Sequence, residues 1–327
     1  MDTYDDSEKS KYQLIAICCL YVSSCVYSDF PFALDTLCYI CDECYTKEQI
    51  VDMMITFVPR ISRSGVYTNS TDNMDGTIFK ETNHTKCFRI GEDLVCKQMS
   101  HNKNGLPTYD VIVEIMVDRM VSSKNVIRMV GCSIDTESTK LYYKFIPRSL
   151  RYYFGSDDHV LLEKIIVQIL TGVKDLHDRG IGHRDLKGDN IQVDEEDNVV
   201  IIDTGAAGFG KIRSTVPACT VTHRSPDILR AEIEKVDNYE YDPKKLDIWS
   251  LGVILAELFL GPDPFGTIRV HTRELNILTM IINNRPRVIE ELKRVGVPMY
   301  ITDSIQSCLS DVPDERPTID TLLLKIK

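Results

Sequence analysis

The sequence predicts an α+β chain in which a β-rich stretch is followed by a longer helical one, with a short all-α segment in front. Three observations carry this. Short β-favouring runs recur between residues 76 and 146. From Asp157 onward apolar residues recur at helical spacing. The first 60 residues are dense in Leu, Ile, Cys and Tyr in helix-like runs bounded by proline.

The elements follow in order. Lys11 to Tyr27 reads as a helix, and Asp29-Phe30-Pro31 breaks it. Phe32 to Tyr39 reads as a second helix and Lys47 to Val58 as a third, stopped by Pro59. Helices this apolar must be covered, so they form a packing module rather than a tail. Residues 61–75 are polar and turn-rich, a boundary with room for one edge strand. Gly76-Thr77-Ile78-Phe79-Lys80 and Asp93-Leu94-Val95-Cys96-Lys97 read as strands, Tyr109 to Val121 as a helix, and Val126–Ile134 and Lys140–Ile146 as two further strands. Val160 to His177 carries Leu162, Ile165, Ile166, Ile169, Leu170, Val173 and Leu176 at helical spacing, and Gly180 marks its stop. The domain boundaries expected are 1–60, 61–146 and 147–327.

The chain has 327 residues, 43% of them hydrophobic, enough for a sizeable core. A net charge of −11 argues against a general grip on nucleic acid. The acidic N-terminus is the wrong charge for a signal peptide, and Leu14 to Val26 is too short to span a bilayer. Eleven cysteines without a secretory signal predict reduced thiols. The expected address is therefore intracellular, cytoplasmic or nuclear, with no membrane partner. Cys38, Cys41 and Cys44 raise zinc, but their spacing suits one buried face and no second pair completes a site.

The most informative stretch is His183-Arg184-Asp185-Leu186-Lys187-Gly188-Asp189-Asn190. Eighteen residues beyond Asp185 stands Asp203, directly after the apolar run Val199-Val200-Ile201-Ile202. Phosphoryl transfer needs such parts: a carboxylate near the attacking hydroxyl, a cation near the moving phosphate, and oxygen ligands for magnesium.

This stretch resembles the catalytic loop of eukaryotic-type protein kinases, H-R-D-x-K-x-x-N, followed by the D-F-G motif, here Asp203-Thr204-Gly205. The resemblance runs from about residue 64 to the C-terminus and implies a two-lobed protein kinase fold. It makes Asp185 the base or orienting carboxylate, Lys187 the residue that steadies the transferred phosphate, and Asn190 and Asp203 magnesium ligands. Lysine two residues after the base is the Ser/Thr-kinase form. The cofactors implied are ATP and Mg²⁺, and the substrate a protein hydroxyl. Thr204 replaces the phenylalanine that would pack beneath the Glu114 helix, which implies a looser on/off coupling.

Val95-Cys96-Lys97 resembles the strand lysine that holds the α- and β-phosphates, and Glu114, seventeen residues on, its carboxylate partner. Gly76-Thr77-Ile78-Phe79-Lys80 resembles the end of the glycine-rich loop, with Ile78 capping adenine; the two earlier glycine positions hold Thr71 and Asn73, which implies weaker ATP affinity. Phe145 falls at the gatekeeper position, and Ile146 to Arg148 supply backbone hydrogen bonds to adenine. Arg184 resembles the arginine that meets an activation-segment phosphate, with Ser214, Thr215 and Thr220 as acceptor candidates. Thr222-His223-Arg224-Ser225-Pro226-Asp227 resembles a shortened T-x-x-Y-R-A-P-E, in which Asp227 pairs with Arg316. Asp247-Ile248-Trp249-Ser250-Leu251-Gly252 resembles the D-x-W-S-x-G helix whose aspartate braces the catalytic loop, with Trp249 in the core.

Lys11-Tyr12-Gln13-Leu14 and Tyr39 to Ile50 resemble the later half of a cyclin box. This implies a possible kinase or cyclin-type partner through residues 1–60. A truncated cyclin-like piece joined to a divergent kinase resembles the compact kinases of large DNA viruses. The alternative to an active kinase is a pseudokinase, or a cyclin-like regulatory interaction protein without useful turnover.

Overall fold

The computed structural model describes residues 78–326, apart from 83, 102–106, 135–136, 215–219, 238 and 267–272. The helices expected within residues 1–60, the cysteine cluster, Gly76 and Thr215 lie outside the described residues. The described chain divides into two compact units, 78–120 with Arg128–Phe145, and Val121–Ile127 with 146–326.

The first unit is one antiparallel sheet and one helix. Its strands are β1 (Ile78–Glu81), β2 (Thr85–Ile90) and β3 (Leu94–Ser100). Helix α1 (Tyr109–Met120) follows, then β4 (Met129–Ile134) and β5 (Ser138–Lys144). The spatial order is β1-β2-β3-β5-β4. Alternation along β3 sends Lys97 and the buried Met99 to one face and the buried Cys96 to the other. Helix α1 buries Val111, Ile112, Val113, Glu114, Ile115 and Val117. The sequence reading missed β2, whose Thr85-Lys86-Cys87-Phe88-Arg89-Ile90 lacks a clean alternation. Val126 belongs to no strand of this sheet; it forms an isolated parallel bridge to Ile201 in the second unit.

The second unit opens with β6 (Arg148–Ser149) and α2 (His159–His177). Asp158 caps α2, accepting from Leu161 N at 3.0 Å. All seven apolar positions read from the sequence are fully buried in it. Then come β7 (Ile181–Gly182), β8 (Ile191–Val193), β9 (Val199–Ile201), β10 (Gly208–Phe209) and β11 (Ile212–Ser214). Helix α3 (Pro226–Ile233), β12 (Tyr239–Tyr241) and α4 (Pro243–Leu260) follow. The unit closes with α5 (Glu274–Arg294), α6 (Met299–Cys308) and α7 (Ile319–Ile326).

Helix α4 is the central element. Asp242 caps it and Pro243 opens it, and almost every residue from Leu246 to Phe259 is buried. Around it a single apolar core joins α2, β8, β9, α5, α6 and α7. Three small sheets position the loops: β6-β8-β9, β7 with β10, and β11 with β12, all antiparallel. Among the described residues no helix is long and apolar enough to cross a membrane.

Candidate active site

In the second unit, the loop from His183 to Asn190 runs between β7 and β8. Asp247, fully buried on α4, receives the backbone N–H of His183 at 2.7 Å and of Arg184 at 2.8 Å. His177 places Nε2 on the same carboxylate at 2.9 Å. Asp185 N donates to His183 Nδ1 at 3.2 Å, so Nε2–H donates to Ile202 O at 3.0 Å. Ile202 N donates to Asn190 O at 2.9 Å. These bonds tie the loop to the end of β9, one residue before Asp203.

Two residues here sit in the left-handed region without being glycine: Arg184 at φ 69° and Asp203 at φ 61°. Such backbone costs about 1–2 kcal/mol per residue and clusters at functional sites. The strain aims the side chains of consecutive residues in directions that helix or strand would not allow.

Asp185 is the hub. Its Oδ2 accepts from Lys187 Nζ at 2.7 Å and from Asn190 Nδ2 at 3.0 Å. Its Oδ1 accepts from Thr220 Oγ1 at 2.6 Å and Thr220 N at 3.0 Å. Lys187 Nζ also donates to Thr220 Oγ1 at 2.7 Å. Burial pushes the Asp185 carboxyl up, but the hydrogen bonds from Lys187 and Thr220 and the Lys187 charge outweigh it and hold it below its ordinary value. The structure therefore brings Asp185, Lys187 and Asn190 together. Asn190 spends its amide N–H on Asp185, including the backbone oxygen at 2.8 Å, which turns its carbonyl oxygen the other way.

Thr220 was missed as a member of this cluster. Counted from Thr220, the T-x-x-Y-R-A-P-E pattern has its full length, with His223 at the aromatic place; the motif is not shortened. His223 is buried, with Nε2 3.3 Å from Glu257 Oε2 and Nδ1 2.8 Å from Thr222 Oγ1. A Thr220 hydroxyl held between Asp185 and Lys187 is poorly placed as a phosphate acceptor. Arg184 also departs from expectation. It is buried, with Nε donating to Tyr241 Oη at 3.0 Å and Nη1 to Ala206 O at 3.2 Å. Thr204 is buried at the start of a short turn closed by Ala207 N to Thr204 O at 2.9 Å. Further out, Arg316 Nη2 pairs with Asp227 Oδ1, and its guanidinium lies 5.4 Å over the Trp249 ring.

In the first unit, Lys97 on β3 places Nζ 2.7 Å from Glu114 Oε2 on α1. The second oxygen, Oε1, accepts from Tyr143 Oη on β5 at 2.8 Å. The β5 side chain that reaches this pair is thus Tyr143. Phe145 lies just past β5, with the Arg89 guanidinium 4.0 Å over its ring and its N–H on Asp93 O at 2.6 Å. Ile78 is half exposed on edge strand β1. In the second unit Ile146 is partly buried, and Arg148 sits in β6 opposite Val193, with Nη2 on Asp194 O at 2.5 Å.

A sheet unit carrying a buried Lys–Glu pair and a helical unit carrying an Asp-Lys-Asn loop define the architecture of a phosphotransferase domain. The family model for the protein kinase domain matches residues 77–325, and the chain belongs to the protein kinase family. The model for the cyclin N-terminal domain matches residues 3–61.

Among similar proteins is the mitogen-activated protein kinase kinase kinase mkh1 of Cytospora mali, 27% identical over 71% of this chain and 13% of that protein. Another is the serine/threonine-protein kinase BCK1/SLK1/SSP31 of Saccharomyces cerevisiae, 26% identical over 72% of this chain and 16% of that protein. A third is a probable cell division protein kinase of Encephalitozoon cuniculi, 27% identical over 80% of this chain and 92% of that protein. The chain thus spans about a seventh of the first two relatives and nearly the whole of the third.

Proposed function

We propose that this chain is an ATP- and magnesium-dependent serine/threonine protein kinase that moves the γ-phosphate onto protein hydroxyls. The observation that carries the reading is the Asp185 carboxylate held by Lys187, Asn190 and Thr220. Asp185 aims the substrate hydroxyl and takes its proton as the new O–P bond forms and the bond to the β-phosphate oxygen breaks, releasing ADP. A carboxyl held below its ordinary value suits an orienting group that accepts the proton late. Lys187 steadies the transferred phosphate. Lys97, held by Glu114, meets the α- and β-phosphates, with Gly76 and Ile78 covering the nucleotide and Phe145, Ile146 and Arg148 at the adenine.

Asn190 and Asp203 would hold the magnesium. Hard oxygen donors suit that ion, which keeps waters and takes only one or two carboxylates beside substrate phosphates. Bound magnesium neutralises charge on the phosphates.

The test is transfer of labelled γ-phosphate to a basic test protein, with wild type beside Asp185→Asn. Loss of a positioned base costs about 10²- to 10⁴-fold, so incorporation on Ser or Thr should vanish in the variant. Wild type no better than the variant, in folded protein, would sink the reading in favour of a pseudokinase.

A second reading is favoured by the cyclin N-terminal match over residues 3–61. In it, that segment engages a kinase or cyclin-type partner. Transfer unchanged but partner binding lost on altering Tyr39 to Ile50 would support it. The union of a cyclin-like piece with a compact kinase also supports kinship with kinases of large DNA viruses.

A further inference from the structure

We propose that Tyr143 is a positioning residue for phosphoryl transfer: its hydroxyl fixes the Glu114 carboxylate so that the Lys97 ammonium is aimed before nucleotide arrives. The inference deepens the kinase reading and rests on it. Glu114 is only 2% exposed, and a buried carboxylate is costly unless its oxygens are satisfied. Lys97 takes one oxygen at 2.7 Å and the Tyr143 hydroxyl donates to the other at 2.8 Å.

The sheet register makes this a two-strand grip. Lys97 stands opposite Leu141, and Val95 opposite Tyr143. Cross-strand partners share a face, so residues 95, 97, 141 and 143 all project toward α1. Lys97 from β3 and Tyr143 from β5 therefore converge on a single carboxylate carried by the helix.

With the lysine alone, the carboxylate could rotate about its terminal torsion and the ammonium would follow it. With both oxygens held, rotation breaks a bond, and α1 cannot shift without breaking two. A buried tyrosine hydroxyl needs a partner, and this one finds it in the Glu114 carboxylate. Phenylalanine would pack there without the cost of burying a polar atom.

Tyr143→Phe keeps the ring and deletes the hydroxyl. We expect KM for ATP to rise about fivefold or more, with KM for the protein substrate unchanged, because what is lost is the aim of a phosphate-binding cation. Backbone amides of Tyr109–Met120 should exchange faster with deuterium in the nucleotide-free variant. Should Tyr143→Phe fail to fold, Tyr143→Met is judged by the same two readouts.

Unchanged ATP KM overturns the proposal, whatever the exchange rates, since faster exchange alone marks a merely structural tie. A wild-type protein that transfers no phosphate sinks the kinase reading instead. In that case ATP affinity read by direct titration replaces KM: unchanged affinity in Tyr143→Phe overturns the proposal, and a loss of about fivefold supports the aiming of Lys97.

Discussion

At the residue scale the hydrogen bonds of the candidate site concentrate on Asp185. Thr220→Val keeps the side-chain shape and removes the hydroxyl that donates to Asp185 Oδ1 and accepts from Lys187. One hydrogen bond to a charged group is worth about 1.5–3 kcal/mol. Steady-state kinetics should show kcat reduced about tenfold or more, at a rate cost of about 1.4 kcal/mol per decade. The same cluster fixes the pH behaviour. Asp185 is held below its ordinary value, so its contribution is present above the unfolded carboxyl's pKa of about 3.9 and is lost only as pH falls through the lower folded value. A kcat profile between pH 6 and 8 should therefore carry no limb from Asp185. A wild-type kcat that falls on the acid side within that window would contradict this.

Asp185, Lys187 and Asn190 were readable as a group because each is fixed by position along one loop. Thr220 was not, because its bond to Asp185 spans 35 residues and spacing alone cannot report a tertiary contact. Tyr143 was hidden for another reason. Tyr142 and Tyr143 are adjacent on β5, and only the register against β3 decides which one faces α1.

At the element scale, the long amphipathic α2 was legible to its last buried leucine, while β2 was not. Lys86 and Arg89 interrupt its apolar pattern, and only pairing with β1 and β3 on either side makes it a strand. Helix α3 is fastened to the rest of its unit by Asp227 and the fully buried Arg316, whose other donors reach Ser310 O and Lys245 O at 3.0 Å each. Removing one partner of such a pair costs about 3–5 kcal/mol. Asp227→Ala should lower the denaturant midpoint of the helical unit accordingly; a change below about 1 kcal/mol would mean the pair is not structural. The contact of α4 with α6 is equally intolerant. A Cβ on Gly252 would lie 2.8 Å from Cys308 Cβ and 2.9 Å from Leu309 Cδ2. Gly252→Ala should destabilise by about 1–3 kcal/mol through overpacking, measured by the same titration.

At the scale of the whole molecule, a net charge of −11 would draw in a basic protein substrate, should the proposed kinase take one. Raising ionic strength shortens the screening length from about 10 Å at 0.1 M. kcat/KM for such a substrate should fall with added salt while kcat at saturation holds; salt-independent kcat/KM would remove the field from the argument. The division into a sheet unit and a helical unit was legible because periodicity changes character near residue 157. The passage of Val121–Ile127 beside β9 was not, because only a tertiary contact, Ile127 N on Ile201 O at 2.8 Å, draws it out of the sheet.

Trp249 is the chain's single tryptophan, and it lies fully buried in α4 beneath a guanidinium, with no hydrogen-bond partner for its indole N–H among the described residues. The molecule therefore carries one fluorophore that can be excited apart from its 15 tyrosines, and it belongs entirely to the helical unit. Excited at 295 nm, the protein emits from a setting closed to water until that unit opens, whereupon the spectrum moves to the red. Circular dichroism sees both units at once. Superposing the two melting curves would show directly whether sheet and helical units lose their structure in one event or in two.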